Sequence, residues 1–440
     1  MRLVLKLALL ATCIILSAIP GAVRAGRGAA APDSLKALEG LTVEEIRIDG
    51  AKHTKHRLVK GAMTSREGEP FSAANVDKDY EGLDKLGVFS QTHIKAIPGD
   101  SGVVLELDVK ETFRYLPVIT GEISDENGIS LGGGLKSVNL LGSGIYLSAT
   151  AKFGGATTIE LIMRSPYQAK SHFTYQLEYY HRDRNNALFS FNEVADEIYL
   201  VIQRTMRRNY RLGLEYSYQM IQSDTDGKTL SPDNTDHVST LGMFAGFDTR
   251  DLWSNPSMGW YNTVYGYWSG FLGGDSDFFR LRLDLRRYQR LSPSHVIALF
   301  SMFTGTTGEV GTDIAEWQTF GEGGSNSVRG WNLGSRYGKS EFINTAEYRY
   351  TWLKPRLFSY FGINLKMGVQ VALFADFATA WCDDDGFQKS WISGGGAGIR
   401  LIIPYVDMIR FDVSYGEGGI GLSMNVATQE KPDRQLQRVR

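Results

Sequence analysis

Apolar and polar residues alternate along most of the chain, from about residue 113 to residue 427. From Tyr210 to Met220, for example, aromatic or aliphatic residues take every second position, and polar residues or glycine stand between them. This period places one set of side chains on each face of a β-strand. Many segments reach roughly ten residues, the length that crosses a bilayer at a tilt, whereas strands of soluble sandwiches are usually nearer ~5–6 residues.

The pattern predicts a mostly β protein whose main part is a sixteen-stranded antiparallel transmembrane β-barrel over residues 113–427. An extracellular all-β protein is the alternative. The predicted strands are residues 113–123, 128–138, 144–153, 156–165, 171–182, 194–203, 209–222, 236–249, 257–269, 276–289, 294–304, 341–353, 367–381, 393–403, 408–416 and 419–427.

The connections between these strands support a barrel. Long polar connections follow odd-numbered strands, at residues 223–235, 305–340 and 382–392, and most connections after even-numbered strands are short, such as residues 291–294. Outer-membrane barrels alternate long outer loops with short periplasmic turns in this way. We therefore expect an even strand count with the N-terminus inside, and residues 354–365 are one longer connection that departs from the rule.

Residues 41–112 have a mixed pattern, typical of a small α+β domain. Ala73 to Leu86 carries apolar residues at helical spacing, between the N-cap candidate Ser72 and the C-cap candidate Gly87. The predicted order is strand, helix, helix, strand, strand, at residues 43–48, 55–63, 73–86, 93–97 and 103–109.

The two ends of the chain resemble processing and flexible segments. A positively charged start and an apolar core from Leu7 to Ile19 predict a secretory signal peptide over residues 1–25. Residues 26–40 are predicted to be a flexible leader, and residues 428–440 a disordered basic tail. After the signal peptide, no stretch approaches the ~20 apolar residues that a spanning helix needs.

Composition and charge exclude several functions. The chain has 440 residues, with 47 Lys and Arg against 49 Asp and Glu, and this balance argues against a nucleic-acid binder. Because Cys13 lies in the predicted signal peptide, Cys382 remains as a single thiol, and we expect neither a disulfide nor a cysteine-based zinc site. Asp383 to Asp385 could hold a hard cation, but a polar loop tip has the same composition.

The sequence contains no motif for a catalytic nucleophile, a phosphate-binding loop or an acid–base pair. We therefore expect no enzyme activity, no cofactor and no metal.

The longest connection carries the candidate site, Val328-Arg329-Gly330-Trp331. Arg329 is a permanent cation, and Gly330 allows a tight backbone turn. A loop tucked into the lumen would bring Arg329 to an inward carboxylate. A solvated outer loop with a scattered arginine is the alternative.

Two carboxylates are candidates for that contact. Asp376 alternates with apolar neighbours, so it is expected to point into the lumen, and Glu347 is the second candidate. We expect a charge-assisted hydrogen bond to Arg329, which the guanidinium group can make in bidentate form, with Phe374 packed against the guanidinium plane.

The small domain resembles a POTRA domain, the periplasmic polypeptide-transport-associated module. The matching stretches are Ile46 to Gly50, Gly68 to Ser72, Leu86 to Phe89 and Val109 to Glu111.

The rest of the chain resembles the BamA/TamA insertase–translocase superfamily of outer-membrane barrels. Its inward sixth outer loop, with a V-R-G-aromatic motif, matches Val328 to Trp331 in position and sequence. Three further motifs match in order. The turn after strand 8 carries Asp248, Arg250, Asp251, Pro256 and Gly259. Strand 12 carries Glu347 and Arg349, and strand 13 carries Phe374 and Asp376.

The resemblance implies an outer-membrane protein, with its N-terminal domain in the periplasm, that assists β-barrel insertion or polypeptide translocation. It implies unfolded outer-membrane or secreted polypeptides as clients, contact with outer-membrane lipid, and accessory periplasmic proteins as possible partners, with no nucleic acid. Insertion would use a weak seam between the first strand and the last, which carries Gly419 and Gly421. A transport pore for a solute or a dedicated exoprotein, and a structural surface antigen, are the alternatives.

Overall fold

The computed structural model describes residues 37–112, 114–124, 127–165, 173–206, 209–251, 255–325, 327–360, 363–383, 391–403 and 407–428. The expected signal peptide, the expected leader up to residue 36 and the expected basic tail from residue 429 lie outside the described residues. Asp384 and Asp385 of the candidate cation site also lie outside them.

The N-terminal domain packs two helices against a three-stranded sheet. Its elements are β1 (Val43–Asp49), α1 (His56–Ala62), α2 (Ala73–Leu86), β2 (Phe89–Pro98) and β3 (Val103–Glu111). The sheet order is β1-β3-β2, with β1 parallel to β3 and β2 antiparallel to it, so β2 is an edge strand.

Local chemistry explains the ends of α2. Gly87 takes a left-handed conformation with φ +66° at the C-terminal end, as a C-capping glycine does. Ser72 precedes α2 but makes no side-chain capping hydrogen bond; the backbone N–H of Ala73 donates to Glu39 instead, at 2.8 Å. Val76 and Leu83 lie on the face of α2 that is buried in the domain core.

A closed antiparallel barrel of sixteen strands follows, which confirms the predicted fold class. The barrel order is β4 to β14, then β17 to β21, and β21 pairs with β4. The short strands β15 and β16 form a separate pair in the loop after β14. The strands are β4 (Leu116–Ser124), β5 (Gly128–Leu140), β6 (Ile145–Gly154), β7 (Ala156–Arg164), β8 (Phe173–Asn186), β9 (Phe191–Met206), β10 (Tyr210–Ser223), β11 (Thr235–Asp248), β12 (Gly259–Gly274), β13 (Phe278–Ser292), β14 (His295–Thr306), β15 (Phe320–Glu322), β16 (Arg336–Gly338), β17 (Ser340–Tyr360), β18 (Ile363–Trp381), β19 (Ile392–Ile403), β20 (Asp407–Gly416) and β21 (Gly419–Thr428).

The two faces of the barrel wall differ in polarity. On β13, Phe279 and Leu281 are exposed on the outer face, whereas Arg282, Asp284 and Arg286 are buried on the inner face. This is the reverse of a water-soluble β-protein, whose polar side faces solvent, and it is the arrangement of a membrane barrel. Among the described residues, no helix is long and apolar enough to span a membrane.

Strands β17 and β18 correct one expectation. Residues 354–365 were expected to be a connection, but β17 continues to Tyr360 and β18 begins at Ile363, so the two strands remain paired through most of this region. The Lys354-Pro355 break in the alternation is absorbed by a β-bulge between Leu353 and Arg356. Proline is tolerated at bulges because its missing N–H is not needed there.

The N-terminal domain contacts the barrel at the turn between β5 and β6. Asn139 Nδ2 donates to Thr54 Oγ1 at 2.8 Å, and Glu111, at the end of β3, accepts the backbone N–H groups of His53 and Thr54 at 2.9 and 2.6 Å. Gly142 lies so close that a Cβ there would stand 2.1 Å from the carbonyl oxygen of His53. We call the barrel end that carries this junction the near end, and the opposite end the far end.

Candidate functional site: the inward loop and the seam

The loop of residues 307–339, between β14 and β17, lies across the far end of the barrel. Strand β11 and the β12–β13 loop hold its first half: Trp317 Nε1 donates to Asp236 at 2.8 Å, and Ser276 Oγ donates to Gln318 at 2.8 Å. The paired strands β15 and β16 flank the segment that carries Arg329, which is 1% exposed. We call this segment the inward loop.

Arg329 binds two carboxylates from two barrel strands. Its Nε and Nη2 atoms donate to the two oxygens of Asp376 on β18, at 2.6 and 2.9 Å. Its Nη1 atom donates to Asp412 on β20 at 2.8 Å. Thr345 Oγ1 on β17 donates a further bond to Asp376 at 2.9 Å and orients that carboxylate. The planar guanidinium fork therefore joins the inward loop to two strands, which the single ammonium group of a lysine cannot match in geometry.

Apolar contacts surround this charged group. The Arg329 guanidinium lies over the ring of Phe374, with Cζ 3.1 Å from the ring centroid. Val328 is fully buried in an apolar cluster. The other buried members of that cluster, from β14, β17, β18 and β19, are Phe300, Met302, Ile343, Ala378 and Ile392.

Gly330 and Trp331 fasten the loop to the last hairpin and to β19. The backbone N–H of Gly418, in the β20–β21 turn, donates to the carbonyl of Gly330 at 3.0 Å. Gly330 has φ +90°, and a Cβ there would lie 2.4 Å from the backbone nitrogen of Gly416, so only glycine fits. Trp331 Nε1 donates to the carbonyl of Ser393 at 2.6 Å.

Glu347 and Arg349 belong to the same charge network but lie further along it. Arg349 Nε donates to Glu347 at 2.6 Å, and Arg400 donates both to Glu347, at 3.0 Å, and to Asp412. The structure therefore places Asp376 in direct contact with Arg329, and connects Glu347 to it through Arg400 and Asp412. Positive and negative groups alternate along the whole chain of contacts.

Alternation matters because these groups are buried. Removing one partner of a buried ion pair costs about 3–5 kcal/mol, since the remaining charge is left without compensation. Asp412 is shared between Arg329 and Arg400, so the position of the inward loop and the packing of β19 against β20 depend on the same carboxylate.

The second motif forms a compact turn at the near end, between β11 and β12. Asp248 accepts two bonds from the side chain of Arg250, at 3.0 and 2.8 Å, and Arg250 stacks on Tyr261 at 4.3 Å. Asp251 accepts from the backbone of Ser257 at 2.8 Å. Gly259 has φ +110°, and a Cβ there would meet the carbonyl of Thr249 at 2.2 Å. Pro256 is buried within the turn. These residues fix a turn, and among the residues that the structure describes they form no hydrogen bond or ion pair with the inward loop.

The wall of the barrel is weakest where it closes. Among the described residues, β21 and β4 pair at two positions, Met424 with Ile123 and Asn425 with Glu122. By contrast, β20 and β21 pair along their whole length, from Asp407 to Gly416. We call the β21–β4 contact the seam. Most of β4, from Leu116 to Gly121, has no pairing partner on that side among the described residues.

Three members of the network were missed at the sequence level: Thr345, Arg400 and Asp412. The alternating strand from Ile409 to Tyr415 shows that Asp412 faces inward, but alternation alone does not show which cation it meets. That choice depends on the register between β19 and β20, which pairs Gly398 with Asp412.

Comparison with known proteins identifies the family of both parts of the chain. The Omp85 superfamily domain matches residues 139–418, and the surface antigen variable number repeat, a POTRA module, matches residues 41–112. The outer membrane protein assembly factor BamA of Nitratidesulfovibrio vulgaris is 24% identical over 371 residues, which cover 79% of this chain and 46% of that protein. This chain thus spans about half the length of that curated relative.

Solved structures share the fold at low sequence identity. BamA from Haemophilus ducreyi lacking POTRA domains 1–3 superimposes with a TM-score of 0.60 at 17% identity, over 88% of this chain and 84% of that one. CdiB from Escherichia coli gives a TM-score of 0.61 at 15% identity, over 89% of this chain and 76% of that one. The Omp85 match covers more than half of the chain, and the sixteen-stranded barrel and the N-terminal domain agree with it. The chain therefore belongs to the Omp85 superfamily of outer-membrane proteins.

Proposed function

We propose that this protein assists the insertion of β-barrel proteins into the outer membrane, or the translocation of polypeptides across it, with its near end facing the periplasm. The main observation that supports the proposal is the weak pairing at the seam. A wall that is paired at two positions opens at the cost of few hydrogen bonds, each worth about 1 kcal/mol net.

An opened seam offers a template for a client strand. The unpaired backbone groups of β4, from Leu116 to Gly121, form a strand edge, and such edges accept an incoming strand by β-augmentation. A client that pairs there enters the membrane without exposing its own backbone polar groups to lipid.

The inward loop braces the strands that border the seam. It contacts β18 through Asp376, β20 through Asp412 and the β20–β21 turn through Gly418. We propose that the loop fills the far end of the lumen and holds the last hairpin in place while β21 separates from β4. A lumen occupied in this way favours insertion over a permanently open pore.

The N-terminal domain is the proposed site of client capture. Its edge strand β2 leaves one side unpaired in the sheet order β1-β3-β2. An unfolded outer-membrane or secreted polypeptide could pair with it in extended form. Accessory periplasmic proteins would compete for the same edge. This role needs no catalytic residue and no cofactor.

Locking the seam tests the proposal. In a Cys382→Ser background, Ile123→Cys with Met424→Cys places two thiols at a paired position across the seam. We expect oxidation to stop the protein from accelerating the folding of an unfolded outer-membrane barrel in proteoliposomes, and reduction to restore it. The matched control is Val413→Cys with Leu422→Cys, an exposed apolar pair between β20 and β21 that does not separate in the proposed mechanism.

Unchanged activity with the seam locked would rule out the proposal. Single-channel recording separates the pore alternative: an inserting protein with an occupied lumen should show small or transient openings, whereas large, stable openings would support solute transport.

A further inference from the structure

The near-end parts of β17 and β18 extend beyond the barrel rim. The pairing of β17 with β14 ends at Tyr350 with His295, and that of β18 with β19 ends at Gly368 with Ile402. Among the described residues, the pairs from Arg356–Met367 to Tyr360–Ile363 join only these two strands to each other. At ~3.3 Å per residue, this extension is about 16 Å long. We call residues 352–360 and 363–367 the rim hairpin.

The rim hairpin carries positive charge without acidic residues. Its charged residues are Lys354, Arg356 and Lys366, and its sequence contains no Asp or Glu. The side chains of Lys354 and Arg356 are exposed. Within the described part of the chain, neither of them forms an ion pair or a side-chain hydrogen bond, so both cations are available to an external anion.

The rim hairpin continues an aromatic belt on the outer face of the barrel. Trp352 is 71% exposed and lies two residues beyond Tyr350, on which His295 stacks at 4.9 Å. Further round the same end, Arg287 stacks on Trp260 at 4.5 Å. Aromatic rings with basic partners are typical of the level where a barrel meets lipid headgroups.

Residues 352–360, the first strand of the rim hairpin, have features that argue against the pairing of a polypeptide strand with its edge. Lys354 and Pro355 interrupt it, and bulges lie between Thr351 and Leu353 and between Leu353 and Arg356. Lysine, proline and bulges are the devices by which natural sheets prevent pairing at an exposed edge. A partner recognised through side-chain charge and aromatic rings therefore fits better than one recognised through backbone hydrogen bonds.

We propose that the rim hairpin binds the anionic headgroups of phospholipids in the leaflet at the near end, through Lys354 and Arg356, with Trp352 at the headgroup level. This rests on the proposed orientation, which puts the near end in the periplasmic leaflet. Lipid phosphate groups supply a negatively charged partner for Lys354 and Arg356, and each cation near an anionic surface adds to the attraction. The headgroup contact fixes the position of the rim next to the N-terminal domain.

Fluorescence quenching by brominated lipid tests this inference on the full chain. Nanodiscs contain equal amounts of phosphatidylglycerol and phosphatidylcholine, with bromine on one lipid or on the other. The difference between wild type and Trp352→Phe isolates the signal of Trp352 from the other tryptophans. We expect stronger quenching of Trp352 when bromine is on phosphatidylglycerol. In Lys354→Gln/Arg356→Gln, the preference for phosphatidylglycerol should fall by at least about fivefold.

The matched control is Lys52→Gln/Arg57→Gln, which removes the same two charge types from exposed positions on the N-terminal domain and should keep the preference. If the two brominated lipids quench Trp352 of the wild-type protein equally, the proposal is overturned, and no charge variant is needed for that conclusion. A preference that survives in Lys354→Gln/Arg356→Gln, or one that disappears equally in the control, would also overturn it.

If Trp352 is not quenched by either lipid, and its emission shifts only when an unfolded outer-membrane polypeptide is added, the rim hairpin binds polypeptide and the lipid assignment is wrong. The seam-locking experiment reports client folding, not lipid preference, so failure of the proposed function and failure of this inference are distinguishable.

Discussion

Two Arg–Asp pairs in this protein have the same chemistry and different consequences. Arg250 forms a bidentate contact with Asp248, two residues away in the chain, at the near end. Arg329 forms a bidentate contact with Asp376, 47 residues away, at the far end. Both guanidinium groups stack on an aromatic ring.

The difference lies in what each pair joins. The local pair shapes a turn whose ends are already held by β11 and β12. The long-range pair holds a loop that would otherwise lie free above the lumen, and the same arginine reaches Asp412 on another strand. A bidentate pair therefore has a larger effect on the structure when the elements that it connects are not already held together by other contacts.

We expect the strongest defect from Arg329→Ala. Asp376 loses its cation while buried, at a cost of about 3–5 kcal/mol, and the inward loop loses its main attachment. We expect protease cleavage within residues 307–339 on whole cells and loss of client insertion, while heat-modifiable migration shows a folded barrel. Wild-type protection and activity would show that the loop is held by its apolar contacts.

Arg329→Lys should rescue only part of this loss, because one ammonium group cannot reproduce three planar contacts to Asp376 and Asp412. Asp376→Asn should resemble Arg329→Ala, and the double mutant should be little worse than either single mutant, since both remove the same contact. Strictly additive losses in loop protection would mean that the two residues act independently.

Asp412→Asn tests the carboxylate that Arg329 and Arg400 share, and we expect a smaller loss of loop protection than in the Arg329 and Asp376 variants. Arg329 keeps its bidentate contact with Asp376, so loop protection falls less than in Asp376→Asn. Arg400 loses one of its two carboxylates, so the thermal stability of the barrel also falls. The check is to measure cleavage and melting in the same samples; an effect on neither would remove Asp412 from the network.

Arg250→Ala is the matched control for the comparison and should have a smaller effect. It breaks a bidentate pair within one turn, so we expect a lower melting temperature with the inward loop as protected as in wild type. Cleavage of residues 307–339 at the level of Arg329→Ala would refute the distinction between the local and the long-range pair.

The smallest expected effect concerns the junction at Glu111. Burial alone would raise the pKa of Glu111, but hydrogen bonds from Thr54 and His53 lower it by more than burial raises it. The pKa of Glu111 therefore lies below its ordinary value. A lowered carboxyl pKa stabilises the fold above the unfolded pKa, near ~4.3, and this contribution is lost as the pH falls through the folded value.

Hydrogen exchange over residues 51–55 measures this effect. At neutral pH, Glu111→Gln should exchange faster than wild type, and the two should converge as the solution is acidified below about pH 4. A difference that stays constant with pH would show that the charge of Glu111 does not hold the junction.

Much of the barrel could be predicted from local pattern. The period of two marks each strand because every residue of a membrane barrel faces either lipid or lumen, and the stretch from Tyr210 to Met220 shows it directly. The pattern fails at Lys354 and Pro355, where a bulge breaks the alternation, so the extension of β17 to Tyr360 was not foreseen.

Local sequence pattern was enough to establish that a barrel of sixteen strands forms, that Asp376 faces inward and that Gly330 permits a tight turn, because these follow from periodicity and from the steric freedom of glycine. The folded barrel was needed to show that Arg329 contacts both Asp376 and Asp412, that Arg400 connects Glu347 to Asp412, and that the seam is paired at two positions among the described residues. Those outcomes depend on how the strands are staggered when the sheet closes on itself, and stagger is a property of the whole barrel rather than of any one segment.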